Sequence, residues 1–193
     1  MNALKSPGPK LRDAAILVAA TALGFALSRM STASLNESTF RENPFWIFVV
    51  MNWSGASAYF IAPMFVMWSA AVVVMGLISP GFSRIRQGPG WVGAVAVSIV
   101  VLTTSAAEIA CRWLIPSNGR AMAADVLRNW DQTGSRVLAA AWVSLWLASA
   151  WHPSPAWPDR LGRWLGWAWI ALGVLWHGTI FAHAVARYWL RLM

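Results

Sequence analysis

The sequence predicts an all-α integral membrane protein, a helical bundle of about five transmembrane helices with one amphipathic helix on the membrane surface. Three observations predict it. Hydrophobic residues make up 58% of the 193 and charged residues 11%, whereas a soluble domain carries roughly a quarter charged residues. Apolar runs alternate with short polar stretches rich in proline and glycine, as spans alternate with loops. Of the 15 tryptophans, Trp91, Trp113, Trp151, Trp164 and Trp189 bracket those runs, at the depth where indoles sit in a membrane interface, while Trp142, Trp146, Trp169 and Trp176 lie deeper. At roughly 20 residues per span the length leaves no room for a soluble domain, so 1–193 reads as a single transmembrane domain.

The formal charge of +8 does not indicate nucleic acid, because the basic residues stand singly at the ends of apolar runs rather than in a cluster. Cys111 is the single cysteine, so neither a disulfide framework nor a CxxC pair forms within the chain.

The first span is expected at 13–30, after a polar segment holding Lys5, Lys10 and Arg12. A cleaved signal peptide is the competing reading, since Ser31-Thr32-Ala33-Ser34 is a passable small-residue cleavage region; an uncleaved span is favoured. The three cations then place the N-terminus in the cytoplasm. Glu37, Arg41 and Glu42 make the next stretch an external loop.

Phe45 to Ile78 is too long for one span and is interrupted by Asn52-Trp53-Ser54-Gly55 and by Pro63. Residues 45–53 are read as interfacial and 56–78 as the second span, the alternative being one long tilted helix kinked near Pro63. Arg84 and Arg86, before Gly88-Pro89-Gly90, form a cytoplasmic turn, and 91–113 is the third span. Residues 120–134 place Met122, Ala123, Val126, Leu127 and Trp130 on one face and Arg120, Asp125, Arg128 and Asp131 on the other, an amphipathic surface helix. The fourth span is expected at 136–151. The proline-rich stretch from His152 to Pro158 ends it, and the fifth span follows at 163–187. This order puts the N-terminus inside and the C-terminus outside an inner, cytoplasmic membrane.

Two loops carry a resemblance. Arg84-Ile85-Arg86-Gln87-Gly88-Pro89-Gly90 and Pro155-Ala156-Trp157-Pro158-Asp159-Arg160-Leu161-Gly162-Arg163, each leading into a span, resemble uncharacterised multi-pass membrane proteins of planctomycete type. That group has no assigned activity or catalytic residues to transfer.

The last helix is the expected organiser. At about 100° per residue, Gly162, Gly166, Gly173, His177, Ile180 and Ala184 share one narrow sector, with Trp169 and Trp176 at its edge. Such a groove admits another helix through Gly162, Gly166 and Gly173, or a flat prosthetic group with His177 as its axial ligand. Haem or chlorophyll are the cofactor classes that suit it, and no cofactor is required. A bis-histidine haem lacks a second imidazole at similar depth, since His152 and His183 lie near span ends. His177 is expected near the middle of the span, where a polar side chain is costly, and an interhelical hydrogen bond is the ordinary role of such a histidine.

Glu108 is the acid inside a span, on a face shared with Gly90, Ala94, Ser98, Ser105 and Arg112. A proton or solute path would use it, yet it lies about 26 Å from Trp91 by helical rise, near the outer surface, with Arg112 at i+4. A structural ion pair between Glu108 and Arg112 is the expectation. Thr103 and Thr104 are expected to bond their own backbone carbonyls, and Cys111 to pack as a small residue.

No nucleophile elbow, SxxK, HExxH, phosphate loop or metal-spaced His/Cys cluster occurs in the chain. The sequence therefore points to a non-enzymatic accessory or scaffold subunit in contact with lipid and other membrane subunits. A cofactor-binding subunit through His177 and a small solute or proton transporter through Glu108 are the alternatives.

Overall fold

The computed structural model describes residues 10–32, 61–79, 85–113 and 130–192. Among these are five helices and no strand: α1 Leu11–Thr32, α2 Ala62–Leu77, α3 Pro89–Trp113, α4 Trp130–Leu147 and α5 Trp157–Leu192. Three contain stretches long and apolar enough to cross a membrane, Leu11–Arg29, Pro89–Ala110 and Trp157–Ala182; α2 is apolar but shorter.

Successive helices run antiparallel. Thr21 of α1 meets Trp68 of α2, while Gly24 meets Met64. Val73 of α2 meets Trp91 at the start of α3. The start of α3 lies against Trp142 late in α4, and Ser105 late in α3 against Trp130 at the start of α4. Trp142 then packs on Gly166 and Ser135 on Gly173, so α5 runs back alongside α4. The starts of α1, α3 and α5 therefore share one end of the bundle with the ends of α2 and α4.

The core has two parts. Ala62, Val66, Val97, Val101, Trp130, Leu138, Trp142, Leu165, Trp169 and Leu172 join α2, α3, α4 and α5. Ala20, Ala71, Val72, Met75 and Ala94 join α1 to α2 and α3. In a bilayer, apolar contact between helices gains little over contact with lipid, so close backbone approach and interhelical hydrogen bonds must hold such a bundle.

Indoles supply several of those bonds. Three times a hydroxyl bonds the carbonyl one turn back in its own helix and also accepts an indole N–H from a packed helix. Thr21 Oγ1 donates to Leu17 O at 2.7 Å and accepts from Trp68 Nε1 at 2.9 Å. Ser69 Oγ donates to Phe65 O at 2.8 Å and accepts from Trp169 Nε1 at 3.3 Å. Ser105 Oγ donates to Val101 O at 2.7 Å and accepts from Trp130 Nε1 at 2.6 Å. Two more indoles donate to carbonyls, Trp142 to Pro89 O at 2.9 Å and Trp91 to Val73 O at 3.4 Å. A helical hydroxyl keeps a lone pair after bonding its own backbone, which is why serine and threonine serve as acceptors here.

The helix boundaries differ from expectation in three places. The line drawn between a surface helix at 120–134 and a span at 136–151 does not exist from Trp130 onward, where one helix continues to Leu147; residues 120–129 lie outside the described residues. Trp130, placed on the lipid face by the amphipathic pattern, is buried against α3 because its N–H finds Ser105. The helix stops before residue 151 because Ser149 takes a left-handed φ of 54°. Ala150 N–H then reaches Leu145 O at 2.9 Å and Ser149 N–H reaches Trp146 O at 3.0 Å, a Schellman ending. Finally, α5 starts at Trp157 rather than 163, since Pro158 falls in the first turn, where a missing N–H is harmless. Pro63 likewise sits in the first turn of α2; the proposed interfacial segment 45–53 lies outside the described residues.

Candidate functional site

The most elaborate polar arrangement among the described residues is built on Asp159, in the first turn of α5 and completely buried. Its Oδ1 accepts the backbone N–H of Gly90 at 2.9 Å and of Trp91 at 3.2 Å. These are N–H groups of the first turn of α3, which have no partner within their own helix. Its Oδ2 accepts the N–H of Ser154 at 3.0 Å and pairs with the Arg163 guanidinium one turn later. Arg163 also donates to Ser154 O at 3.3 Å. One carboxylate thus caps α3, starts α5 and ties down the proline-rich loop between α4 and α5.

The approach requires small residues. A methyl group at Gly88 would collide with the Asp159 carboxylate, and one at Gly90 with the backbone of Asp159 and Arg163. The sequence alone gives Asp159 no role beyond its place in the loop leading into the last span. The available signal was an acid four residues before Arg163 together with glycines on both sides of Pro89, in the two loops that carry the resemblance; they meet here across 69 residues.

The glycine sector of α5 is occupied by protein. Gly162 lies against the backbone of Gly90, Gly166 against the Trp142 indole, and Gly173 with Ser135 Cβ 2.7 Å from where its own Cβ would be. A flat prosthetic group does not fit at these three positions. The Trp142 ring is itself boxed in, edge-on to Trp151 at 5.4 Å and to Trp167 at 5.3 Å.

His177 continues the same sector but is exposed. The stretch of α5 able to span a membrane runs from Trp157 to Ala182, so His177 lies towards its far end rather than near the middle. Its Nδ1 is 2.8 Å from Gly173 O. A contact to a carbonyl requires the proton on Nδ1, which leaves Nε2 as the unprotonated nitrogen of the neutral ring. His152 is exposed in the α4–α5 loop, and the His183 side chain lies outside the described residues.

Glu108 is half-buried near the end of α3 and has an interaction partner. The expected ion pair with Arg112 lies outside the described residues, because the Arg112 side chain is not among them, nor is that of Cys111. Thr103 bonds Ile99 O and Thr104 bonds Val100 O, each at 2.7 Å. Of the deeper tryptophans, Trp142 and Trp169 are buried, Trp176 is half-buried and Trp146 is exposed. The Ser98 hydroxyl and the indole N–H groups of Trp157 and Trp176 are buried without a hydrogen-bond partner among the described residues. No group of three or more His, Cys, Asp or Glu side chains with metal-binding proximity occurs among the described residues.

No protein-family model, curated protein or solved structure matches this chain.

Proposed function

We propose that this protein is a multi-pass subunit of a membrane complex, an accessory or scaffold component without catalytic activity. Its N-terminus would face the cytoplasm and its membrane would be the inner, cytoplasmic one. The observation that carries the reading is the free part of α5. With 36 residues, α5 is about 54 Å long, longer than a bilayer of about 40–45 Å including headgroups. Among the described residues, its own bundle covers the Gly162 to Gly173 side. Ala171, Leu175, Gly178, Ala182, Val185 and Trp189 recur at alternating spacings of four and three along the other side, and all are exposed. Among the described residues, nothing lies within 4 Å of where a Gly178 side chain would start. A helix-interior glycine is unfavourable by about 1 kcal/mol relative to alanine, and in a membrane its usual return is close approach by another helix. A transmembrane helix of another subunit is the occupant we assign to this face.

The alternating helix directions support a chain that crosses the membrane more than once. The charges support the orientation: Lys10, Arg12, Arg86, Arg160 and Arg163 share the end where α1, α3 and α5 begin. Extraction from the native membrane in mild detergent, followed by native mass measurement, tests the function. A particle heavier than the chain by whole subunits is expected; a stable lone monomer contradicts it. Cysteines introduced at His152 and Arg86, both exposed, should label from the cytoplasmic side only.

A second reading rests on His177, whose Nε2 is left available by the bond from Nδ1 to Gly173. It would make the chain a haem- or chlorophyll-binding subunit, with the group on the exposed side of α5. A visible absorption spectrum of the protein purified from its native membrane separates the two, and a colourless preparation rules this reading out.

A further inference from the structure

We infer that the end of the bundle where α1, α3 and α5 begin is a docking surface for the headgroups of anionic phospholipids, recognised by Lys10, Arg86 and Arg160. This rests on the membrane reading above and adds a lipid class to it.

The argument is one of charge pairing. The acids at this end are Asp13 and Asp159, and both are buried, at 5% and 0% exposure. Asp13 accepts the N–H of Lys10 at 3.0 Å and pairs with Arg12 at 3.5 Å. Asp159 pairs with Arg163 and is otherwise filled by backbone N–H groups. Each acid thus takes one arginine, and both are withdrawn from the surface. What remains outward is cationic: Lys10, Arg86 and Arg160 are exposed, and their side chains have no partner among the described residues. The flanking segments 1–9 and 80–84 add Lys5 and Arg84 to the sequence and no acid.

The depth suits headgroups. Lys10 precedes the first residue of α1, Arg86 precedes α3 by less than a turn, and Arg160 is in the first turn of α5. One turn inward of Arg160, Trp164 is 75% exposed, an indole placed where the acyl chains meet the headgroups. Phosphate oxygens of an anionic leaflet complement such a set, at a level where each basic side chain attracts anionic lipid appreciably. A zwitterionic headgroup has no net charge to offer it.

The test uses the full chain in mild detergent, with phosphatidylglycerol and phosphatidylcholine of identical acyl chains added in equal amounts and retained lipid counted by native mass spectrometry. Phosphatidylglycerol should be retained in preference. Each of Lys10→Gln, Arg86→Gln and Arg160→Gln should lower the ratio of the two lipids by about fivefold, and Arg29→Gln at the opposite end should leave it unchanged. Raising the salt to about 0.5 M should weaken the preference. Equal retention of the two lipids, or a preference that survives the triple variant, overturns the inference. Release of the chain from its membrane by alkaline carbonate would instead overturn the membrane reading, so the two failures are separable.

Discussion

The carboxylate of Asp159 accepts the backbone N–H of Gly90 at 2.9 Å, joining the first turn of α5 to the first turn of α3 across 69 residues of chain. Asp159→Ala removes the acceptor for three backbone N–H groups, those of Gly90 and Ser154 buried and that of Trp91 partly so, and leaves Arg163 without its counter-charge. A loss on the order of 3 kcal/mol is expected, read as a lower melting temperature in detergent. Arg163→Gln should cost less, because the Arg163 side chain is 25% exposed and the carboxylate keeps its backbone donors.

Glycine substitutions should sort by what faces them. Gly166→Leu and Gly173→Leu drive a side chain into Trp142 and Ser135 respectively, separating α5 from α4, and both should unfold at clearly lower temperature. Gly178→Ala meets open space and should be neutral or stabilising by up to about 1 kcal/mol in the isolated chain. Trp167→Leu should be milder than either leucine insertion, since Trp167 is largely exposed and touches the bundle through the edge of Trp142. Equal melting temperatures across the set would contradict the packing of α5.

The indole bonds predict a graded effect. Trp130→Phe and Trp142→Phe keep most of the ring but remove a donor, at a cost of about 1 kcal/mol each. Their acceptors, Ser105 and the Pro89 carbonyl, are on different turns of α3, so the losses should add. Trp146→Phe, at a 70% exposed position, should change nothing. Thermal unfolding of the three variants and the double variant checks this.

Much of the fold was legible because a membrane imposes long apolar runs, and α1 and α3 fall within two residues of the expected 13–30 and 91–113. The boundaries at α4 and α5 were not. Periodicity alone assigned Trp130 to lipid, whereas a single hydrogen bond to Ser105 draws it inward. Pro158 read as a helix breaker although the first turn tolerates it. The Gly162, Gly166 and Gly173 face was visible as a pattern of small residues, but nothing local could say which helix fills it. The Asp159 joint escaped because the helix it caps begins with backbone N–H groups 68 and 69 residues away, and the acid four residues before Arg163 does not reveal that partner.

The ending of α4 offers a stabilising change. Ser149 holds a φ of 54°, a conformation that disfavours an L side chain by about 1 kcal/mol or more. Ser149→Gly should raise the melting temperature by relieving it, while Ser149→Val should lower it.

The claim that α5 presents its outer face to another subunit is tested most directly by Gly178→Leu in the native membrane. The chain should fold and melt like wild type, since none of the described residues lies near that position. The account predicts that native mass measurement after mild extraction then finds the chain as a monomer, where wild type is part of a heavier particle. An unchanged particle mass for Gly178→Leu would contradict it.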